Sequence, residues 1–191
     1  MNLRDIWKSR GLMLGCFALL TPMMATAQKP SGDTVSVKDF GAKGDGATDD
    51  SNAFQKAIET ASDVFVPKGT YIITKGIELQ SNQKVTLSPA AVLKWRSKLK
   101  AKGLFYITDK ENVVVEGGTI DGEHDANPTG TLNGIWIRGT SHRVTIKDIF
   151  IKEIPSDIER GYHAGDGIYF GKSKEGKFPH DVLVTGCYFE N

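Results

Sequence analysis

The hydrophobic and polar positions follow two different periods along the chain. Between Asp49 and Ala61, apolar residues recur every three or four positions, and the stretch opens with Asp49, Asp50 and Ser51, residue types that favour a helix N-terminus. After Asp63 the apolar residues instead alternate with polar ones in short segments separated by Gly, Asn, Asp and Lys. The pattern predicts one helix followed by many short β-strands.

The short strands recur as a unit. A segment that opens with Gly103 returns at Gly134 and Gly167, offset by 31 and then 33 residues, and a degenerate earlier copy occupies residues 76–93. Because β-branched residues dominate the repeated positions and their alternation is two-fold, the units favour a β-solenoid of three-strand coils over helical repeats. The second and third strands of successive units are Val113–Val115 with Ile120, Val144–Ile146 with Ile151, and Val182–Val184 with Phe189.

Stacking these units predicts columns of side chains that point into or out of the solenoid. The predicted inward columns on the first strand are Leu104 with Ile135 and Ile168, and Tyr106 with Ile137 and Phe170. The column between them points outward and consists of Phe105, Trp136 and Tyr169. Exposed aromatic rings in a row suit the C–H faces of sugar rings, so we interpret this column, with Arg138, as substrate-binding. The alternative is that a loop covers the row, which then only packs.

Residues 1–27 have the pattern of a targeting signal. Arg4, Lys8 and Arg10 precede an apolar run from Gly11 to Leu20, and Ala25-Thr26-Ala27 has the small residues of a cleavage site. The run is about half the ~20 residues that a membrane-spanning helix needs, so it favours export over a permanent membrane anchor. We therefore divide the chain into a signal peptide (1–27), an N-terminal segment with a capping helix (28–63) and β-helix coils (64–191), and expect a periplasmic or extracellular protein.

Composition and charge argue against nucleic acid as a partner. The net charge is +1 for all 191 residues, and residues 28–191 hold 21 Lys and Arg against 22 Asp and Glu. This balance lacks the basic excess of a nucleic-acid-binding protein. Removal of Cys16 with the signal peptide would leave Cys187 without an intramolecular disulfide partner, so stability is expected to come from burial.

The stretch VKDFGAKGDGATDD from Val37 to Asp50, followed by VFVPKGTYIIT from Val64 to Thr74, resembles the start of the pectate-lyase-like superfamily, including its rhamnogalacturonase/epimerase-like N-terminal region. The resemblance implies an all-β fold, a right-handed parallel β-helix whose N-terminal end is covered by the helix. It also implies a polysaccharide lyase or glycoside hydrolase, although this segment is shared by enzymes of several classes and by non-enzymes. From the residues themselves, we interpret Asp45, Asp49 and Asp50 as turn and cap residues.

The segment Ile154 to Asp166 carries the candidate catalytic residues Asp166, His163 and Glu159. Cleavage or elimination on an acidic sugar requires groups that transfer protons, and this segment leads directly into the strand that bears Tyr169. Asp166-Gly167 also resembles the Asp-Gly pair of the polygalacturonase signature, but Ala164 and Gly165 replace its Asn and Thr. The structural alternative is that Asp166 stacks on Asn133 and supports a turn.

A second polar segment follows the strand that ends near Ile120. Asp121, Glu123 and Asp125 are hard oxygen ligands of the kind that calcium prefers, so they are the candidate metal residues, with Ca²⁺ as the candidate cofactor. The alternative is a solvated turn.

Together these observations predict an exported β-helix protein that acts on acidic polysaccharide of the pectin or alginate type by cleavage, elimination or epimerisation. The competing interpretation is a non-catalytic carbohydrate-binding or adhesion solenoid, or a fragment that lacks its catalytic coils. No predicted helix or loop covers the last coil, which leads us to expect a longer parent chain and self-association through that coil.

Overall fold

The computed structural model describes residues 33–96, 103–123, 132–155 and 165–190. The predicted signal peptide therefore lies outside the described residues. Within the described ranges, no helix has the length and apolar character needed to cross a lipid bilayer.

Short parallel strands form three sheets, which we name A, B and C. Sheet A holds six strands in the spatial order β1 (Val35–Ser36), β3 (Asp63–Val66), β6 (Gln83–Leu87), β9 (Glu111–Glu116), β12 (His142–Lys147) and β15 (His180–Thr185). Sheet B holds six strands in the order β2 (Asp45–Asp49), β4 (Gly69–Ile73), β7 (Ala91–Trp95), β10 (Thr119–Asp121), β13 (Phe150–Lys152) and β16 (Tyr188–Glu190). Sheet C holds four strands in the order β5 (Ile77–Glu78), β8 (Phe105–Thr108), β11 (Ile135–Arg138) and β14 (Ile168–Gly171).

The chain visits sheets C, A and B in turn, and each strand pairs in parallel with the strand of the next coil. This is a right-handed parallel β-helix with three strands per coil, which confirms the fold predicted from the repeats and the resemblance. The predicted alignment of the second strands is also confirmed, since Val113 pairs with Val144, and Val144 with Val182.

Helix α1 (Ser51–Thr60) follows the short 3-10 helix Val37–Phe40 and strand β2, and it packs against β3 and β5. Its apolar face buries Ala53, Phe54, Ala57 and Ile58. The helix was predicted, but β2 was not, because Asp45–Asp49 holds one apolar side chain and four polar or glycine residues. The segment before the helix thus contributes strands to sheets A and B as well as a cap.

Asp45 and Asp50, two of the acidic residues interpreted as turn and cap residues, accept backbone hydrogen bonds before the helix. Asp45 accepts hydrogen bonds from the backbone N–H groups of Ala47 and Thr48, and these bonds lower the pKa of Asp45 to about 2. Asp50 accepts the N–H groups of Lys43 and Gly44 and makes no side-chain capping bond to the helix. These carboxylates therefore fix the turn before the helix, and Asp50 does so without capping it.

Connections between the sheets differ in length. From β3 onward, those from sheet A to sheet B contain two or three residues in each coil, for example 117–118 and 148–149. Those from sheet B to sheet C span residues 74–76 in the first coil and residues 96–104, 122–134 and 153–167 in the next three. By residue number, the candidate catalytic and metal residues fall in this second group, except Asp121, which is the last residue of β10.

Candidate functional site

The outer face of sheet C carries a row of aromatic side chains. Strands β8 and β11 alternate buried and half-buried residues, and the half-buried positions include Tyr106 and Trp136. Backbone pairing places Tyr106 beside Trp136 and Trp136 beside Tyr169. We call Tyr106, Trp136 and Tyr169 the aromatic row.

The prediction that Phe105 belongs to this row is wrong. Phe105 is fully buried and pairs with Ile135, so the inward columns are Phe105 with Ile135 and Ile168, and Ile107 with Ile137 and Phe170. The prediction that Tyr106 points inward is wrong for the same reason. Residues 104–107 form an unbroken apolar and aromatic run, which fits either register. The observed register buries the fully apolar ring of Phe105 and leaves Tyr106, which carries a hydroxyl, half-buried on the outer face.

Two rings of the row are in contact, and two lie over glycines. The Trp136 and Tyr169 ring centroids are 4.4 Å apart with an interplanar angle of 31°. A Cβ atom at Gly171 would stand 2.8 Å from the Tyr169 ring, and one at Gly76 would collide with the Tyr106 ring. Glycine at these positions thus leaves space for the rings to lie low on the sheet, as a surface for stacking requires.

Arg138 follows two residues after Trp136 and lies on the same face of sheet C. Its Nε donates a hydrogen bond of 2.8 Å to the backbone oxygen of Lys172, which fixes the direction of the side chain. A guanidinium group held in this way can bind a carboxylate of a ligand with two parallel hydrogen bonds. The substrate-binding role of Arg138 stays a prediction.

An ion pair lies at the other end of the aromatic row, next to Tyr106. Glu78 pairs with Tyr106 across strands β5 and β8, and its carboxylate lies 3.2 Å from the Lys110 ammonium. Gln55 of helix α1 accepts a hydrogen bond from the Glu78 backbone N–H. The helix therefore borders the site at this end.

Asp166 lies two residues before β14 and is exposed. Its backbone N–H donates to Oδ1 of Asn133 at 3.2 Å, and its backbone oxygen accepts the Gly134 N–H at 3.0 Å. Asn133 and Asp166 therefore occupy equivalent places in adjacent coils, as the structural alternative requires. This contact uses the backbone of Asp166, so its carboxylate is not part of it. Glu159 and His163 lie outside the described residues, and the catalytic role of all three stays a prediction.

The candidate metal residues Asp121 and Glu123 face cations of the protein. Glu123 Oε1 lies 2.8 Å from Lys94 Nζ, and Glu123 Oε2 lies 2.9 Å from Arg96 Nε. Asp121 Oδ2 lies 3.5 Å from Lys94 Nζ and 3.4 Å from Lys152 Nζ. We call these five residues the charge cluster. They lie on sheet B, in or next to strands β7, β10 and β13.

The charge cluster neutralises its own carboxylates. Burial opposes ionisation of Glu123, but the hydrogen bonds from Arg96 and Lys94 outweigh it and lower the pKa of Glu123. No group of three or more His, Cys, Asp and Glu side chains suited to a metal occurs among the residues that the structure describes. Asp121 and Glu123 are thus paired with cations of the protein. Calcium binding, for which Asp125 was the third ligand, stays a prediction because Asp125 lies outside the described ranges.

Sequence reasoning missed the charge cluster, although a signal was present. Lys94, Asp121 and Lys152 occupy the same position in the third strand of successive coils, because Lys94 pairs with Asp121 and Asp121 with Lys152. Opposite charges at adjacent positions of a column predict ion pairs across strands. Aligning the third strands by charge as well as by apolar residues would have found it.

Comparisons with known proteins agree with this architecture. The chain is 39% identical over 129 residues to the pre-neck appendage protein of Bacillus phage phi29, covering 60% of this chain and 15% of that protein. It is 29% identical over 189 residues to alginate lyase 7 of Azotobacter vinelandii, covering 82% of this chain and 22% of that protein. It is 32% identical over 150 residues to plasmin and fibronectin-binding protein A of Streptococcus pneumoniae, covering 62% of this chain and 21% of that protein.

A solved structure shows the same fold. The iota-carrageenase of A. fortis aligns with a TM-score of 0.66 at 20% identity, covering 86% of this chain and 37% of that one. The chain thus spans about a fifth of the length of the relatives that it matches in sequence. A sequence model of one family matches residues 34–188, which is most of the chain. The parallel coils, the helix at their N-terminal end and this match together show that the chain belongs to the rhamnogalacturonase A/epimerase, pectate lyase-like family.

Proposed function

We propose that the protein binds acidic polysaccharide on the outer face of sheet C and modifies it by cleavage, elimination or epimerisation. The observation that carries the proposal is the aromatic row with Arg138 beside it. Trp136 and Tyr169 form a continuous ring surface about as wide as one strand separation, and the guanidinium group of Arg138 can pair with a sugar carboxylate. Relatives named for alginate lyase and carrageenase activity support a polysaccharide as the ligand.

The chemical step would fall to the segment that leads into β14. Asp166 lies three residues before Tyr169, so a polymer stacked on the row would pass close to its carboxylate. His163 and Glu159 are the further groups that we propose for proton transfer. We also propose that the protein works outside the cytoplasm, where such polymers are found.

Binding is tested with Trp136→Ala and a matched control, Phe65→Ala. Phe65 is also an outward aromatic side chain, 37% exposed, but it lies on sheet A. We expect Trp136→Ala to lose most of the affinity for oligogalacturonate and oligoalginate in titration calorimetry, with Phe65→Ala close to the wild type. Equal affinities for all three proteins would reject the site on sheet C.

Turnover is tested separately on polygalacturonate, alginate and rhamnogalacturonan, with and without calcium. Absorbance of unsaturated products reports elimination, and reducing ends report hydrolysis. Asp166→Asn and His163→Ala should remove turnover and spare binding, because groups that transfer protons act mainly on the transition state.

The second candidate is a polysaccharide-binding or adhesion solenoid that performs no chemistry. It is favoured by the contact between Asn133 and the backbone of Asp166, which gives this position a structural role. The relatives named as a pre-neck appendage protein and as a plasmin and fibronectin-binding protein also support it. Binding that depends on Trp136, without turnover of any of the three polymers, would favour this candidate.

A further inference from the structure

The connection after β14 differs from its equivalents in earlier coils. It runs from Lys172 to Pro179, whereas sheets C and A are joined by residues 79–82, 109–110 and 139–141 in the three preceding coils. The extra residues have the sequence KSKEGKFP. We call residues 172–178 the Lys-rich turn.

The Lys-rich turn is held in one conformation by Ser173. The hydroxyl of Ser173 accepts the backbone N–H groups of Glu175 at 3.1 Å and Lys177 at 3.2 Å. Its backbone N–H donates to the Lys177 oxygen at 2.7 Å, and its backbone oxygen accepts the Gly176 N–H at 3.2 Å. Four hydrogen bonds to one residue order the turn in advance of any ligand, which reduces the entropy that binding would cost.

The side chains of this ordered turn are cationic and exposed. Lys172, Lys174 and Lys177 are all exposed, and Glu175 is the one carboxylate among residues 172–178. Phe178 adds a ring that is 59% exposed. Three exposed ammonium groups and an exposed ring within one turn suit a ligand that has both an apolar face and negative charge.

The Lys-rich turn adjoins the aromatic row. It begins directly after Gly171, the residue above which the Tyr169 ring lies. Arg138 reaches across from the neighbouring strand to donate its Nε hydrogen bond to the Lys172 oxygen. Four cations therefore lie at this end of sheet C against the two carboxylates of Glu175 and Asp109, whereas Glu78 is paired with Lys110 at the other end.

We infer that the Lys-rich turn binds the anionic substituents of the polymer that stacks on the aromatic row, and so makes the protein select charged over neutral polysaccharide. The inference rests on the proposed function. The rings supply contacts that any sugar can make, whereas the ammonium groups bind carboxylate or sulfate groups more strongly than they bind hydroxyl groups. Because the lysines are exposed, this contribution is screened by salt.

The test compares two double variants of the full chain that change the net charge equally. Lys174→Gln with Lys177→Gln removes two ammonium groups from the turn. Lys56→Gln with Lys68→Gln removes two exposed ones, from helix α1 and from the connection between β3 and β4. The probes are oligogalacturonate for carboxylate, iota-carrageenan oligosaccharide for sulfate, and a neutral β-glucan oligosaccharide.

For the turn variant we expect a roughly tenfold loss of affinity for the charged probes at low salt, because two exposed ion pairs contribute about that much to binding. Affinity for the neutral probe should not change, and the salt dependence of binding should weaken. The control variant should match the wild type. Stronger binding of one charged probe by the wild type supports the inference and identifies the anion.

Two outcomes overturn the inference alone: equal losses in both double variants, or equal affinity of the wild type for charged and neutral probes while Trp136→Ala still abolishes binding. If no probe binds the wild type, or if Trp136→Ala binds all probes as the wild type does, the proposed function fails and this inference fails with it.

Discussion

Each residue of a strand in this fold points either into the stack or out of it, and the physical cost of a substitution depends on which. Ile137 is fully buried, and it pairs with Ile107 in one neighbouring coil and with Phe170 in the other. Thr145 is half-buried on sheet A, between Val114 and Leu183, and points outward.

We predict that Ile137→Asp destabilises the fold by about 4 kcal/mol or more, because its carboxylate would be buried without a partner. Thr145→Asp should cost about 1 kcal/mol or less, since its carboxylate stays in water. Urea denaturation followed by circular dichroism measures both. Similar midpoints for the two variants would show that the assigned directions of these side chains are wrong.

Glu116 is an outward residue with a measurable structural role. It lies 3.0 Å from Lys84 Nζ and 2.8 Å from Lys147 Nζ, and it accepts a hydrogen bond from the Thr86 hydroxyl. The hydrogen bond from Lys147, with further ones from Lys84 and Thr86, lowers the pKa of Glu116 from 4.5 to about 2 against the opposing effect of burial.

A carboxyl group whose pKa is lower in the folded state stabilises the fold above its unfolded pKa, and that stabilisation is lost as the pH falls toward the folded pKa. We expect Glu116→Gln to lower the free energy of unfolding by about 1–2 kcal/mol at pH 7, allowing for screening by solvent. The difference from the wild type should shrink between about pH 4.5 and pH 2. Asp33→Asn, at an exposed position, is the control. A difference that is constant with pH would exclude the ionic origin.

The residue scale is also where sequence reasoning reached its limit. The directions of Trp136 and Ile137 followed from clean alternation, but Phe105 and Tyr106 lie in a run without polar residues, and the repeated glycines suggested the wrong partner. The register between coils pairs Phe105 with Ile135 and buries the Phe105 ring. Alternation within one strand does not determine that register.

At the scale of elements, the turns between sheets A and B repeat one backbone conformation. Gly117, Asp148 and Gly186 hold equivalent places and have φ values of 79°, 55° and 63°. At Gly117 a Cβ would also collide with the backbone oxygen of Leu87 in the preceding coil. Gly176 has nearly the same φ, 80°, with no atom within 4 Å of where its Cβ would stand.

This pair separates backbone strain from steric collision. Gly176→Ala should cost about 1 kcal/mol, the strain of a positive φ alone. Gly117→Ala should cost about 2–3 kcal/mol, because the turn must also move away from the coil below. Thermal denaturation of the two variants checks the order. Equal losses would mean that the coils can separate here at little cost.

Elements differed in how far the sequence predicted them. Helix α1 and the strands with valine-rich repeats were predicted because their apolar faces have a clear period. Strand β2 was missed because it is defined by pairing with β4 and by the hydrogen bonds of Asp45 and Asp49, whereas its composition is that of a turn. Such a strand forms because its neighbour supplies partners for its backbone.

For the molecule as a whole, the repeats were sufficient to predict the fold because every coil buries the same kind of residue against the next. The site was predicted less well, because the side chains that compose it come from different coils and their contacts depend on register. The charge cluster shows this most clearly, since its members are separated by 27 to 31 residues wherever opposite charges meet.

The last described coil leaves several apolar side chains exposed, among them Phe170 at 44%, Val184 at 39% and Phe189 at 56%. We predict that a protein made of residues 28–191 self-associates through this surface, which would cover these side chains and pair the strand edges. Sedimentation velocity should show an average mass that rises with concentration, and Phe189→Lys should lower it. A monomer at all concentrations would contradict the prediction.

The uneven lengths of the connections suggest how relatives named as an appendage protein, a lyase and a binding protein can share one β-helix fold. From β3 onward, the turns from sheet A to sheet B have two or three residues, and each coil is bonded to the next through its strands. The connections from sheet B to sheet C lengthen from residues 96–104 to 153–167 while those strand bonds are kept. Insertions in these connections therefore leave the pairing of the strands unchanged, and they can accumulate on one side of the solenoid. Evolution could exchange one recognition segment for another there, and a protein engineer could graft a connection from a relative of different specificity at the same place.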